Sequence, residues 1–400
     1  MHILLLNDDS PMETRGGAAI VVERLRRECI RQGHRVTLIV THQDRIQENI
    51  VRKRDTHGDI ISLFRDYSLA KRARLSLRSP EIEKTLSKLL SELRPDVVNA
   101  HNIHTYLSYG SLLIASEYTK KVFLTAHDTF LVSFDRVRGE KMHLNFIDHL
   151  KVAGRKYWPL RNITIRSILR ETGTKIIAIS FATKSFLEEN GIAVAKVIHN
   201  GIGVKPLPQE DSLRAFREKY QIRGPTVLFG GRVSQDKGIG VLLSAMEIVM
   251  KELPQAQLLL VGEKSRIEPE LKNISSTLRS AIRLTGWIPH EDMRIAYASA
   301  DLVTTPSIYL DNFPNVNLEA MEVAKPVIGT SRGGTPEVVE DNVTGIILDP
   351  KDTKKFADTL LTLLRDHAKA KKMGEAGRKS IEEKFSLELQ AKSYLQLFSA

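Results

Sequence analysis

The chain has 400 residues, of which 42% are apolar and 27% charged, with a single cysteine and a formal net charge of +11. That length exceeds what one hydrophobic core usually organises, so two domains are expected, and the composition excludes a disordered or low-complexity chain. Cys29 alone can form neither an internal disulfide nor a cysteine-based metal site, which fits a reducing, cytoplasmic compartment.

No segment approaches the roughly 20 apolar residues that span a bilayer. The opening MHILLLNDDS has no basic region before its short apolar run, so it reads as a first strand rather than a signal peptide. It leads into a loop, Asp8 to Arg15, and then Gly16-Gly17 at the start of a helix predicted over about 17–32. Glycines there let backbone N–H groups approach a phosphate at the positive end of the helix dipole, although a glycine pair alone also makes an ordinary turn. Strand signals come next at Arg35–Val40 and, after a helix ending near Leu93, at Pro95–Ala100. His101-Asn-Ile-His104 is the nearest approach to a metal-ligand set, and it lacks a third ligand. Lys121–Thr125 is another strand, with His127 just beyond its end. Residues 132–170 break the rhythm as a long basic stretch carrying Tyr157 and Trp158, which suggests an irregular insertion of functional or mobile character. Strands resume at Lys175–Ile179 and Lys196–Ile198.

A linker is expected around Gly201–Gly224, with Pro206 and Pro208. The second half then repeats the alternation: Thr226–Phe229, a helix over about 238–252, Gln257–Val261, Ile282–Thr285, Leu302–Thr304, Pro326–Ile328 and Gly345–Leu348. Short apolar runs separated by helical patterns are what parallel βαβ units produce, so the fold class is α/β, two doubly wound domains in tandem. No G-x-G-x-x-G follows the first strand and no G-x-x-x-x-G-K-[ST] occurs, which disfavours a dehydrogenase or a P-loop nucleotidase. The strand at 226–229 does run into Gly230-Gly231-Arg232 and, five residues later, Lys237-Gly238. A guanidinium and an ammonium beside glycines at a strand–helix junction suit a pyrophosphate; either charge alone would be ordinary surface.

The most specific stretch is Ser307-Ile-Tyr-Leu-Asp-Asn-Phe-Pro-Asn-Val-Asn-Leu-Glu-Ala-Met321, followed by Lys325-Pro-Val-Ile and Gly333-Gly-Thr-Pro-Glu337. Here the sequence resembles the retaining glycosyltransferases of family 4, and the resemblance covers nearly the whole chain. It implies the GT-B fold, two Rossmann-like domains with a cleft between them. Residues 1–204 would bind the acceptor and 205–383 the nucleotide sugar, and the C-terminal helix 384–400, which includes Phe385 to Tyr394, would cross back onto the first domain. The family's acidic pair, with seven residues between, is here Asp311 and Glu319. Members usually have Glu first, so Asp311 departs from the pattern, as does Lys325 where Gly is common. The resemblance gives Glu319 the ribose hydroxyls, Arg232 and Lys237 the diphosphate, and the backbone of Asn312, Phe313, Pro314, Asn315 and Val316 the donor sugar and phosphate. Asp311 would contact the donor sugar, Gly16 and Gly17 would close over the diphosphate, and His127 would lie near the reacting face. His199-Asn200-Gly201 resembles the family's exit from the first domain.

The same resemblance implies front-face transfer with retention from a nucleotide-diphosphate sugar. The lack of an Asp-x-Asp or ligand cluster and the positive charges placed for the phosphates point to no metal or other cofactor, and the basic first half points to a glycan or lipid-linked acceptor. Cell-surface polysaccharide or glycolipid synthesis would be the setting. A GT-B-like nucleotide-sugar 2-epimerase would share the architecture but leave no acceptor glycosylated. The charge is uneven, with +10 in residues 1–200 and +1 in 201–400. Clusters at Arg52–Arg54, Lys71–Arg74 and Lys151–Arg170 point to an anionic membrane surface, as for an enzyme peripheral to the inner face of the cell membrane. A nucleic-acid-binding protein would also explain the charge, but no recognisable binding module accompanies it, so no nucleic acid is expected.

Overall fold

The computed structural model describes every residue except 11–15, 45–47, 56, 68–71, 138–140 and 155–156, and the backbone alone at 72–73 and 290–291. The chain divides into two compact units. The first comprises Met1–Val137, Lys141–Gly201 and Leu387–Ala400, and the second Ile202–Ser386.

The first unit is built on strands β1 (His2–Asp9), β2 (Arg35–His42), β3 (Ile50–Asp55), β4 (Gly58–Phe64), β5 (Val97–Ala100), β6 (Val122–Ala126), β7 (Lys175–Ala178) and β8 (Lys196–Val197). Their order is β3-β4-β2-β1-β5-β6-β7-β8, parallel except for β3, which pairs antiparallel with β4. Strand β1 reads as a continuous apolar run because both faces of a parallel sheet are covered: Ile3, Leu4, Leu5 and Leu6 are all buried. The helix Gly17–Arg31 turns Val22, Leu25 and Cys29 inward. Ala391, Tyr394 and Phe398 of the C-terminal helix Leu387–Ser399 join the same core.

Three features depart from the sequence-based expectations. Strands β3 and β4 pair antiparallel at the sheet edge, and the outer one, β3, exposes Arg52, Lys53 and Arg54, a charged edge with no apolar alternation to read. The 132–170 stretch is not irregular throughout, for helices occupy Phe146–Ala153 and Leu160–Thr172. The expected linker carries a helix at Glu210–Lys219, packed on the helix His290–Ser299.

The second unit holds β9 (Thr226–Phe229), β10 (Gln257–Leu260), β11 (Ile282–Leu284), β12 (Leu302–Thr305), β13 (Val327–Thr330) and β14 (Gly345–Leu348). All pair in parallel in the order β11-β10-β9-β12-β13-β14. From β9 the chain winds outward through β10 and β11, then returns to place β12 on the other side of β9. That reversal opens a crevice outside the carboxyl ends of β9 and β12, the place where open α/β sheets bind ligands. In the first unit the reversal lies between β1 and β5.

Candidate active site

At the reversal in the second unit two loops are knitted together. The loop after β9 runs through Gly230, Gly231 and Arg232 to a short turn at Gln235–Lys237, and the helix Ile239–Glu252 begins at Gly238. The loop after β12 runs from Pro306 to Pro314, where the helix Asn315–Glu322 begins. Ile308 donates its backbone N–H to the Asp236 carbonyl at 3.0 Å. Gly238 has φ +80°, and a Cβ there would lie 1.8 Å from the Pro306 carbonyl oxygen. Only a residue without a side chain lets the loops approach this closely. Gly333 and Gly334 support the second loop from behind, since a Cβ on either would come within about 2 Å of the carbonyls of Asp311 and Asn312.

This packing brings Lys237 onto Asp311. Its Nζ lies 2.5 Å from Oδ2 of Asp311, which also accepts the Ser307 hydroxyl at 2.8 Å. The ammonium lies 5.3 Å from the centre of the Tyr309 ring. Burial works against the charged form of Lys237, but Asp311 and Tyr309 outweigh it and raise the pKa above the ordinary lysine value. Lys237 is therefore a fixed cation through neutral pH. Arg232 is exposed on the same loop. Neither helix that starts here has a side-chain cap, and neither carries an acidic residue in its first turn. Two positive helix ends thus accompany the lysine.

Asn312, Phe313 and Pro314 are buried, with Asn315 and Val316 half-buried at the helix start. Val316 touches the strand end closely enough that a Cβ on Gly230 would lie 2.3 Å from it. Glu319, one turn into the helix, accepts the Tyr297 hydroxyl at 3.0 Å. The far end of the helix is held by Glu322, fully buried, whose carboxylate accepts Nε and Nη2 of Arg294, each at 2.8 Å, and the backbone N–H of Lys205. The structure thus brings Asp311 and Lys237 into contact, while Glu319 is held by Tyr297.

In the first unit Gly16 precedes, and Gly17 begins, the helix after β1, again with no side-chain cap; residues 11–15 of that loop lie outside the described residues. The carboxylate of Asp8 accepts the backbone N–H groups of Thr105, Tyr106 and Leu107 at 2.7–2.9 Å, joining the ends of β1 and β5. Burial pushes this carboxyl up to about 7 against the pull of those three donors. His127, just after β6, stacks on His101, just after β5. A directed chain of hydrogen bonds sets their tautomers. The Thr125 hydroxyl donates to Asn99 Oδ1 at 3.1 Å, which turns the Asn99 amide nitrogen toward His101 Nε2 at 3.1 Å. His101 then carries its proton on Nδ1 and donates to His127 Nε2 at 2.8 Å. His127 is left with its proton on Nδ1. Burial lowers its pKa to about 4 and holds His101 well below the usual range, so both rings are neutral.

Asp8, Asn99, Ser307, Tyr309 and Tyr297 carry no signal of their roles in the sequence, and His101 stands out there only as an incomplete metal ligand. Ser307 and Tyr309 lie within the family-like stretch, but nothing local says that they flank a lysine seventy residues upstream. Among the described residues no group of three or more His, Cys, Asp or Glu could hold a metal ion, and no helix is long and apolar enough to cross a membrane.

Two family models match the sequence: Glycosyltransferase Family 4 over residues 15–205 and Glycosyl transferases group 1 over residues 214–380. The chain belongs to the family 4 glycosyltransferases. A curated relative of this glycosyltransferase is the GDP-mannose-dependent monoacylated alpha-(1-6)-phosphatidylinositol monomannoside mannosyltransferase of Corynebacterium glutamicum. It is 29% identical over 240 residues, 56% of this chain and 62% of that protein. The matches span only 53–62% of the length of such relatives. Solved structures resemble the whole chain. A sucrose-phosphate synthase from Thermosynechococcus elongatus matches with a TM-score of 0.77 at 21% identity, covering 100% of this chain and 98% of that one. HepE of Anabaena, in complex with UDP, matches with 0.71 at 18% identity and full coverage of both chains. At these identities the likeness is one of fold, and the fold is GT-B.

Proposed function

We propose that this glycosyltransferase moves a hexosyl group from a nucleoside-diphosphate carrier to a glycan or lipid-linked acceptor, retaining the anomeric configuration and needing no metal. The observation that carries the reading is the contact of half-buried Lys237 with buried Asp311 at the β9/β12 reversal, flanked by two uncapped helix starts. Breaking a sugar–diphosphate bond leaves negative charge on the departing phosphate, and oriented cations and backbone N–H groups stabilise it without reorganising. Lys237, Arg232 and the backbone of Asn312, Phe313, Pro314, Asn315 and Val316 fill that role. Asp311 holds the lysine in place beside the donor sugar, and Glu319 takes the ribose hydroxyls. In the first unit Gly16 and Gly17 serve the diphosphate, and His127, neutral with Nδ1 protonated, serves the sugar as a hydrogen-bond donor.

Similarity to a GDP-mannose-dependent phosphatidylinositol mannosyltransferase and to a fold seen with UDP supports a nucleotide-sugar donor and a lipid-linked acceptor. The +10 charge of residues 1–200 supports a peripheral position on an anionic membrane, at its cytoplasmic face. Incubation with a panel of UDP-, GDP- and ADP-sugars and lipid acceptors, read by diphosphate release and by NMR of the product anomer, tests the proposal. Transfer with retention is expected. A released epimerised sugar nucleotide, or an inverted product, would overturn it.

A further inference from the structure

We infer that the outward faces of the helices Phe146–Ala153 and Leu160–Thr172 form a docking surface for an anionic lipid bilayer. The inference rests on the membrane-linked proposal and names the surface responsible. Five large apolar side chains within 18 residues are exposed: Phe146 at 60%, Ile147 at 58%, Leu150 at 41%, Leu160 at 55% and Ile163 at 58%. The helices are amphipathic in an unusual sense. In the second one Arg161, Ile165 and Ile168 face the core, and Leu160 and Ile163 face away from it. Burial of Arg161 is explained by its position over the Phe134 ring, at 4.7 Å, and by its bonds to Asn162 and the Phe130 carbonyl. The outward Ile and Leu have no such explanation within the fold.

The two helices are fixed to each other. Tyr157, just ahead of the second helix, packs its ring against Phe146 and His149 of the first helix and against Phe134 upstream of it, with centroids 5.5–5.7 Å apart. Tyr157 and Trp158 of the basic stretch are therefore half-buried, and the exposed apolar surface belongs to other residues. A rigid support matters because apolar groups held outward enter a lipid interface without first being ordered.

Charge selects the partner. Residues 141–172 contain seven Lys or Arg and two acids, Asp148 and Glu171, a net of +5. Asp148 is itself paired to Lys141 at 2.6 Å. Lys151, Arg166 and Arg170 are exposed; Arg155 and Lys156 lie outside the described residues. A second copy of the chain docked through the same face would set these like charges against each other. Nucleic acid would gain little here, because four of the five exposed apolar side chains are Ile or Leu and only Phe146 offers a ring to stack on a base. Anionic lipid satisfies both features, with headgroups meeting the basic residues and acyl chains meeting the apolar ones.

The test is co-sedimentation of the full chain with vesicles of phosphatidylcholine, with and without phosphatidylglycerol, at about 0.1 M salt, where screening reaches about 10 Å. The wild type should pellet with the anionic vesicles only. The variant Ile147→Ser/Ile163→Ser and the variant Lys151→Gln/Arg166→Gln/Arg170→Gln should each lower partitioning by at least about tenfold, since each removes one of the two contributions. All five positions are exposed, so the fold and nucleoside-diphosphate affinity should be unchanged. Equal pelleting of wild type and both variants would show that this surface is not the docking site, although the membrane reading itself would survive. Failure of the wild type to bind either vesicle, or a wild-type dimer that dissociates in the serine variant, would overturn the inference. Loss of diphosphate binding by the wild type would instead count against the donor-site reading.

Discussion

At the scale of single residues, the Lys237–Asp311 pair should respond differently to single and double substitution. Lys237→Met leaves a buried carboxylate with only Ser307 to oppose it, and Asp311→Asn leaves a half-buried ammonium short of its counter-charge. Each should destabilise the second unit by about 3 kcal/mol, because an uncompensated buried charge costs more than the pair supplies. The double variant, neutral on both sides, should recover most of that stability. Urea denaturation followed through Trp287, with Trp158 replaced by Phe, checks this; additive losses would show that the pair is not coupled.

His101 and His127 make a second residue-scale case. In the fold His127 titrates near 4 and in the unfolded chain near 6.5. Between those values the unfolded chain binds a proton that the folded one refuses, so stability falls as pH drops from about 6.5 to 4 and is unaffected above. The contribution of His127 is on the order of 3 kcal/mol at its limit. Denaturation followed through Trp158, with Trp287 replaced by Phe, should show a smaller acid loss for His127→Gln than for the parent. An identical pH dependence in the two proteins would mean that His127 is not held neutral.

Elements position these residues through a few backbone approaches. Gly238→Ala should be poorly tolerated for two reasons: φ is +80°, and the added carbon would meet the Pro306 carbonyl at 1.8 Å. The loops after β9 and β12 would have to separate, carrying Lys237 away from Asp311. Gly231 makes a fair control, for its φ is +97° but the nearest atoms to an added Cβ are 3.9 Å away. We expect Gly238→Ala to lose more stability and more diphosphate affinity than Gly231→Ala by calorimetry. Equal effects would assign the cost to dihedral strain alone.

Elements also show what the sequence could and could not disclose. Buried parallel strands such as Thr226–Phe229 and Leu302–Thr305 are legible because both faces are covered and the apolar runs are short and flanked by turn residues. The helices at 146–153 and 160–172 are obscured because apolar residues lie on both their inner and outer faces, which blurs the helical period. The strand Ile50–Asp55 escapes notice because an edge demands little apolar content. Of the site, Lys237, Asp311 and Glu319 stand out through the family resemblance. Their partners Ser307, Tyr309 and Tyr297, and the Asn99–His101–His127 chain, depend on contacts that spacing along the chain does not encode.

For the whole molecule, two parallel α/β units with the GT-B fold and two family models covering most of the chain place it among the family 4 glycosyltransferases. In the proposed mechanism the leaving diphosphate is stabilised by Lys237, Arg232 and helix-end N–H groups, so transfer should persist in excess EDTA. Activity abolished by the chelator and restored by Mg²⁺ or Mn²⁺ would refute that part of the account. The most direct test of its centre is calorimetric titration of nucleoside diphosphates between pH 6 and 9. Because Lys237 is held charged above the ordinary lysine value, at least one of UDP, GDP and ADP should bind the wild type without an affinity change traceable to this residue. The stable Lys237→Met/Asp311→Asn protein should lose about tenfold or more, having given up a charge-assisted contact of about 1.5–3 kcal/mol. Equal affinity in the two proteins, or no diphosphate binding by the wild type, would contradict the placement of the donor site between β9 and β12.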